Sequence, residues 1–351
     1  MSRQRGPQYT YRDAVAHAMH DILDSNVNSV VIGQSVSDDV GVLGTTLGLT
    51  ESHPKQVIET PIMEEGVAGI CLGMAINGVY PINTHIRVDF LLVAMNQIVN
   101  MIAKYRYTYG GSFEVPVLIR AIIGRSWGQG PQHSQSLQSL FSHIPGLTVV
   151  MPSSAQSVYS SYVNFAAEYK NPVISFEHRF LYDYSFERFD KGETLDPLRA
   201  NIVRKGKDFT IVACSYMVEE SFLAADYLSE NCGIECEIID LHCISHIDKD
   251  LILESVKKTG AILIADTGWT KISVASEICK ILLEHGSEIL KIAPISLGMA
   301  PSPCPTSHAL ENRFYCDMSD VVNSICEKLE NSQRLTKDYA KNLRNSFKGP
   351  F

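Results

Sequence analysis

Two adjacent carboxylates carry the clearest chemical potential in this chain. In Glu59-Thr-Pro-Ile-Met-Glu-Glu-Gly-Val-Ala-Gly69 a short strand over residues 56–59 ends, the chain turns at Pro61, and a Gly/Ala-rich helix begins. Glu64 and Glu65 therefore fall at or near a helix N-terminus, at the carboxyl end of a strand, where open α/β sheets bind ligands. Gly66, Ala68, Gly69, Gly73 and Ala75 leave the backbone open to close approach. Two readings stand: both acids complement the helix dipole, at roughly 0.3–1 kcal/mol each, or one of them acts on a ligand. A second candidate is the loop Gly124-Arg-Ser-Trp-Gly-Gln-Gly-Pro-Gln-His-Ser-Gln135, between an apolar strand over 115–123 and a helix over 137–144. Three glycines and a proline at a strand's carboxyl end suit a binding loop. His133 is the titratable group it presents, in a catalytic or a structural role. The glycine spacing matches neither a P-loop nor a dinucleotide fingerprint. The third candidate is Arg87-Val-Asp-Phe90, opening a long helix over about 90–107 after a strand over 79–84. Asp89 reads as its N-cap, and Phe90 as core or as a ring able to stack on a flat ligand.

The elements that must position these residues alternate. Thr10 caps a helix through Asp13, a short apolar strand spans 29–33, and continuous apolar runs cover 115–123, 147–151 and 172–176, with a helix led by Ser153 or Ser154 between the last two. Helices interleaved with continuously apolar strands indicate a parallel sheet buried on both faces. The three candidate sites are then strand ends of one sheet and converge on one edge. Residues 182–207 lose this periodicity and read as a linker. A second strand–helix series follows, with strands over 209–214, 236–241, 261–266 and 289–297 and a closing helix over 318–329. The expected division is 8–185, linker 186–207, 208–330 and a tail 331–351. That tail holds five Lys/Arg against Asp338 alone and reads as a solvated or fraying segment.

Composition narrows the class. At 351 residues with no long apolar run, the chain has room for two domains and no membrane span. A net charge of −9 argues against nucleic acid as the main partner. No charged-then-apolar leader opens it, and nine cysteines, eight of them from Cys214 onward, show no paired spacing, so the expectation is a cytoplasmic protein with reduced thiols. Cys232 with Cys236, and His242-Cys243 with His246, read as loop and core, and no metal ligand set is expected.

These residues, in this order, resemble the β subunit of thiamine-diphosphate-dependent 2-oxo acid dehydrogenases, the E1 component of the pyruvate and branched-chain complexes within the transketolase superfamily. The resemblance runs from about Tyr11 to Leu329 and is sharpest in Thr60–Gly69, Asn96-Gln-Ile-Val-Asn100, Ala103-Lys-Tyr-Arg-Tyr107, Gly130-Pro-Gln-His-Ser-Gln135 and Lys170-Asn-Pro-Val173, with Glu235–Leu241 and Ser255–Gly260 in the second half. It implies a doubly wound parallel α/β sheet, the pyrimidine-binding domain, followed by a smaller α/β transketolase C-terminal domain. It implies that Glu64 hydrogen-bonds N1′ of the aminopyrimidine, where a carboxylate in a dry pocket favours the protonated ring. Glu65 has no matching role. Phe90 matches the aromatic that packs on the aminopyrimidine, Ile62 lies on the same pocket wall, and His133 matches a loop histidine implicated in proton handling and acyl transfer to a lipoyl group. The cofactor itself supplies the electron sink for decarboxylation.

The chain contains no Gly-Asp-Gly, the motif that holds the diphosphate and Mg²⁺. The resemblance therefore implies an α subunit bearing that half of the site, an α₂β₂ heterotetramer, a separate lipoyl-bearing E2, and a structural K⁺. Gln34, Val88, Tyr169, His242 and His246 depart from the family pattern. They keep open a two-chain decarboxylase or acyloin-forming carboligase that works without lipoamide. A non-catalytic assembly subunit is the third reading.

Overall fold

The computed structural model describes residues 9–124, 128–186 and 189–342. The chain divides into two compact units, Met1–Ile123 with Leu140–Leu198, and Gly124–Ser139 with Arg199–Phe351.

The first unit carries strands β1 (Tyr9–Thr10), β2 (Ser29–Gly33), β3 (Val57–Glu59), β4 (Tyr80–His85), β5 (Leu118–Ile123), β6 (Thr148–Val150), β7 (Val173–His178) and β8 (Ser185–Phe186). β2 to β7 form a six-stranded, wholly parallel sheet in the order β3-β2-β4-β5-β7-β6, and β1 pairs antiparallel with β8. β4, β5 and β7 are buried along their whole length, as a sheet covered on both faces requires. Two covering helices, Tyr11–Ser25 and Ala155–Glu168, pack on each other. Each begins with a reciprocal capping box, Thr10 with Asp13 and Ser154 with Ser157.

The segment expected as one helix over 90–107 is wound three ways: a 3₁₀ helix Val88–Ala94, a π-helix Asn96–Ile102 and an α-helix Ala103–Thr108. Its buried apolar residues explain this. Val88, Leu91 and Ala94 are spaced by three, Ala94, Ile98 and Ile102 by four. Tightening and then widening the turn keeps one apolar row facing inward. Asp89 is not the expected N-cap. It lies buried in the first turn, with its Oδ2 3.7 Å from Arg87 Nε.

Between β5 and β7 lies a charged core. Fully buried Arg120 donates Nε to Glu177 Oε1 (2.6 Å) and Nη2 to Glu177 Oε2 (3.0 Å), and Nη2 also reaches Thr45 Oγ1 (2.9 Å). The Tyr162 and Tyr182 hydroxyls donate to the two oxygens of Glu177 at 2.5 and 2.6 Å.

The second unit has strands β9 (Asn201–Arg204), β10 (Phe209–Ala213), β11 (Cys236–Asp240), β12 (Ile262–Trp269) and β13 (Ile295–Met299), ordered β13-β12-β10-β11-β9. All neighbours are parallel except β9, which pairs antiparallel with β11. β9 thus lies within the stretch read as linker, its middle residues Ile202 and Val203 exposed on an edge strand. The basic tail, as far as it is described, is largely exposed but tied down at a few points. Lys337 bonds Asp317 (3.4 Å) and Asp320, Asn323 and Leu335 exchange hydrogen bonds at 2.9 and 2.7 Å, and the Tyr339 ring meets Tyr227 edge-on. Residues 343–351 lie outside the described residues. Among the described residues no helix is long and apolar enough to cross a membrane.

Candidate active site

In the first unit, β2, β3 and β4 end side by side at one edge of the sheet, with β3 and β4 flanking β2. The Glu64–Ile76 helix starts five residues after β3, with Glu64 and Glu65 in its first turn and no side chain capping it. Glu64 is half-buried, and Gln34 Nε2 reaches its Oε1 at 3.4 Å. Glu65 is exposed and takes a 3.4 Å contact from Gln97 Nε2, so it ties the helix to the π-helical segment besides facing the dipole. Ile62 is 81% exposed and Phe90 41%, both contributing apolar surface at this edge. β3 and β4 are two inter-strand spacings apart, about 10 Å, a span a flat ring and its substituents can bridge.

A residue the sequence did not single out sets this edge. Glu59, last in β3, accepts from the Ser35 amide (2.7 Å), the Ser37 amide (3.0 Å) and Ser37 Oγ (2.9 Å). It thereby fixes the turn after β2 that carries Gln34. The strand ends also approach closely: a Cβ on Gly33 would lie 2.5 Å from the Thr84 carbonyl oxygen. Gly33→Ala is expected to cost about 1–3 kcal/mol, read as a lowered urea midpoint at unchanged slope. An unchanged midpoint would show that β2 and β4 separate freely.

At the end of β4, five residues before Phe90, His85 is buried with its Nε2 3.0 Å from Asn83 Nδ2, and burial pushes its pKa down to about 4. A base whose folded pKa lies below its unfolded value of 6.5 stabilises the protein above that value. That contribution drains away as pH falls from 6.5 towards 4. His85→Gln is therefore expected to flatten the stability profile in that window, as measured by urea unfolding at stepped pH. A profile as steep as the parent's would rule His85 out as the titrating group.

The edge suits the pyrimidine half of a thiamine cofactor. It offers an ionisable acceptor, exposed apolar surface, and buried hydroxyls on Thr60 and Thr84 that have no hydrogen-bond partner among the described residues. Among the described residues no three His, Cys, Asp or Glu side chains group as a metal site.

His133 belongs to the second unit. Arg125, Ser126 and Trp127 of its loop lie outside the described residues. The loop from Gly128 lies against Thr306, whose carbonyl oxygen and Oγ1 would each sit 2.9 Å from a Cβ on Gly128 and Gly130, and both glycines hold positive φ (58° and 69°). His133 is half-buried, its amide 3.4 Å from the Gly130 carbonyl in a turn. Further on, Gln138 Nε2 donates to Asp266 Oδ1 at 2.7 Å, and Ser136 Oγ lies 3.4 Å from Thr267 Oγ1. Asp266 also accepts from the Gly268 amide (3.2 Å) and Cys214 Sγ (3.4 Å), while burial raises its pKa. Neither Gln138 nor Asp266 stands out in the sequence, because buried polar residues leave no periodic trace.

The remaining candidates resolve locally. His242 is buried at φ 50° with its amide bonded to Asp240 Oδ1 (3.1 Å), and His246 Nδ1 meets Ser245 Oγ at 3.0 Å. Cys232 Sγ neighbours Cys326 Sγ at 3.9 Å, Cys236 is buried in β11, and among the described residues no cysteines are joined in a disulfide. Tyr169 shares a 2.6 Å hydrogen bond with Thr148 Oγ1.

Comparison with known proteins agrees with the architecture. Residues 7–184 match the family model of the transketolase pyrimidine-binding domain, and residues 198–321 that of the transketolase C-terminal domain. A pyruvate dehydrogenase E1 component subunit beta from Rickettsia felis is 36% identical over 323 residues, covering 91% of this chain and 97% of that protein. An acetoin:2,6-dichlorophenolindophenol oxidoreductase subunit beta from Cupriavidus necator is 38% identical over 283 residues, 80% of this chain and 83% of that protein. Among solved structures, a split-gene transketolase described as an inactive beta4 tetramer superposes with a TM-score of 0.75 at 23% identity, covering 93% of this chain and all of that one.

Proposed function

Because this chain belongs to the transketolase superfamily, and within it to the E1 β subunits of two-chain thiamine-diphosphate enzymes, we propose that it is the β half of a 2-oxo acid dehydrogenase. It would decarboxylate a 2-oxo acid and pass the acyl group to a lipoyl domain on a separate E2. The observation that carries this reading is Glu64, a half-buried carboxylate in the first turn of a helix, steadied by Gln34, with exposed Ile62 and Phe90 on the segments that follow β3 and β4.

Bound thiamine diphosphate would supply the carbon nucleophile and the electron sink. Glu64 would hold a proton with N1′ of the aminopyrimidine, Phe90 and Ile62 would pack on that ring and exclude water, and His133 would move a proton during acyl transfer. An α subunit would hold the diphosphate and Mg²⁺, giving an α₂β₂ heterotetramer in the cytoplasm. The exposed apolar residues Ile62, Met63, Ile70, Val93 and Met101 around the Glu64 helix support a partner on this face.

The likeness to an acetoin oxidoreductase β subunit favours one further reading, the two-chain decarboxylase or acyloin-forming carboligase that works without lipoamide. Incubating the αβ assembly with a 2-oxo acid and a lipoyl domain tests both. Reductive acylation of the lipoyl group supports the dehydrogenase. Free aldehyde or acyloin without acylation would transfer the assignment to the second reading.

A further inference from the structure

The strip that bears His133 has two faces. From His133 to Gln138, part-exposed and buried residues alternate: His133, Gln135 and Leu137 on one side, Ser134, Ser136 and Gln138 on the other. The alternation runs through the irregular stretch 134–137 into Gln138, which opens the helix Gln138–Ser142, so the buried residues that anchor the strip are not those that flank the histidine on its part-exposed side. The anchoring side meets the end of β12. Gln138 Nε2 donates to Asp266 Oδ1 (2.7 Å) and lies 3.4 Å from Thr267 Oγ1, which Ser136 Oγ also approaches at 3.4 Å. The fit leaves no slack. A Cβ on Gly268 would stand 2.7 Å from Gln138 Nε2 and 3.5 Å from the Ser136 carbonyl oxygen. Gln138 and Asp266 are both buried, so this is a desolvated, charge-assisted contact rather than a surface one.

We propose that Gln138 and Asp266 are positioning residues of the reaction: their contact latches the 133–138 strip to the second domain and so sets where His133 stands. The inference rests on the role proposed above for His133. Three variants separate the latch from general stability. Gln138→Leu removes the donor at similar volume, Gly268→Ala wedges the amide aside without touching the carboxylate, and Asp266→Asn keeps an acceptor for the latch while removing the charge.

Two readouts are needed. In the full-length chain, chymotryptic cleavage after Leu137, followed by mass spectrometry, is expected to accelerate about tenfold in Gln138→Leu and Gly268→Ala, the size of one lost charge-assisted bond. Asp266→Asn, which keeps the acceptor but loses the charge, should cleave at a rate between those of the parent and Gln138→Leu. In the αβ assembly, Gln138→Leu is expected to lower kcat about tenfold at unchanged KM for the 2-oxo acid, and to move the limb of the pH–rate profile that His133→Ala abolishes. Unchanged cleavage in both latch variants would overturn the latch whatever the activity. Faster cleavage with an unmoved kcat and pH limb would overturn the positioning role. If His133→Ala itself turns over like the parent, the catalytic reading of His133 fails and the positioning role fails with it, while the cleavage result still reports on the latch.

Discussion

In the assembled two-chain enzyme, Glu64→Gln is expected to lower kcat by roughly 10²–10⁴-fold, the range spanned by a positioned general acid–base group. The substitution is nearly isosteric and retains an amide oxygen for Gln34 Nε2 to reach, so the 3.4 Å contact that steadies the side chain survives. What disappears is the negative charge and the ability to hold a proton against a ring nitrogen. The fold should scarcely register the change. Glu64 is only half-buried, and losing a first-turn acid costs about 0.3–1 kcal/mol at most sites. Turnover and α-chain binding measured on one preparation separate these effects. Equal turnover of the variant and the parent would leave Glu64 as a helix-dipole acid and remove the central residue of the proposed mechanism.

Glu177→Ala is expected to destabilise the chain by about 3–5 kcal/mol, because it strands a guanidinium in a dry interior. Arg120 and Glu177 are both fully buried and joined by two hydrogen bonds, and the Tyr162 and Tyr182 hydroxyls lose their acceptor in the same step. Replacing both members, Arg120→Met with Glu177→Leu, should recover much of the loss, since an apolar pair needs no compensating charge. Urea unfolding of the three variants tests this, and a double variant no better than Glu177→Ala would refute the pairing argument. The pair also has a pH signature. Burial alone would raise the Glu177 carboxyl, but Arg120 and the hydrogen bonds from Arg120, Tyr162 and Tyr182 outweigh it and hold it below 4.5. A carboxylate with a depressed folded pKa stabilises above its unfolded value, and that stability is lost as pH falls through the folded value. The part of the acid limb that lies below about pH 4.5 should therefore soften in the double variant.

The sequence made some of this legible for definite physical reasons. Parallel strands buried on both faces write themselves as unbroken apolar runs, so β5, β7, β10, β11 and β12 were visible in outline, whereas the exposed edge strand β9 was not. The helix after Pro61 announced itself through its small residues and paired acids. The three-fold winding of residues 88–108 was not visible, because spacings of three and four both fit an α-helical template and only the burial of Val88, Leu91, Ala94, Ile98 and Ile102 in one row separates them. Asp89 resembled a cap because an acid at a strand-to-helix junction usually is one, and its burial beside Arg87 overrode the local preference. Glu59 went unnoticed since its task, holding Ser35 and Ser37, depends on two strands lying side by side. Gln138 and Asp266 lie 128 residues apart, and no local pattern can join them.

The strip 124–139 has a consequence for how this protein can be cut and recombined. Its flanks, Ile123 and Leu140, belong to the first unit, whereas the strip itself folds with the second. The linear border near residue 198 is therefore not a clean seam. A fragment beginning at Arg199 would leave Thr267 and Asp266 facing an empty slot, and a chimaera joined there would seat one parent's strip in the other parent's groove. Heredity between the halves has to be non-contiguous: a donor second half brings its function intact only when residues 124–139 travel with it.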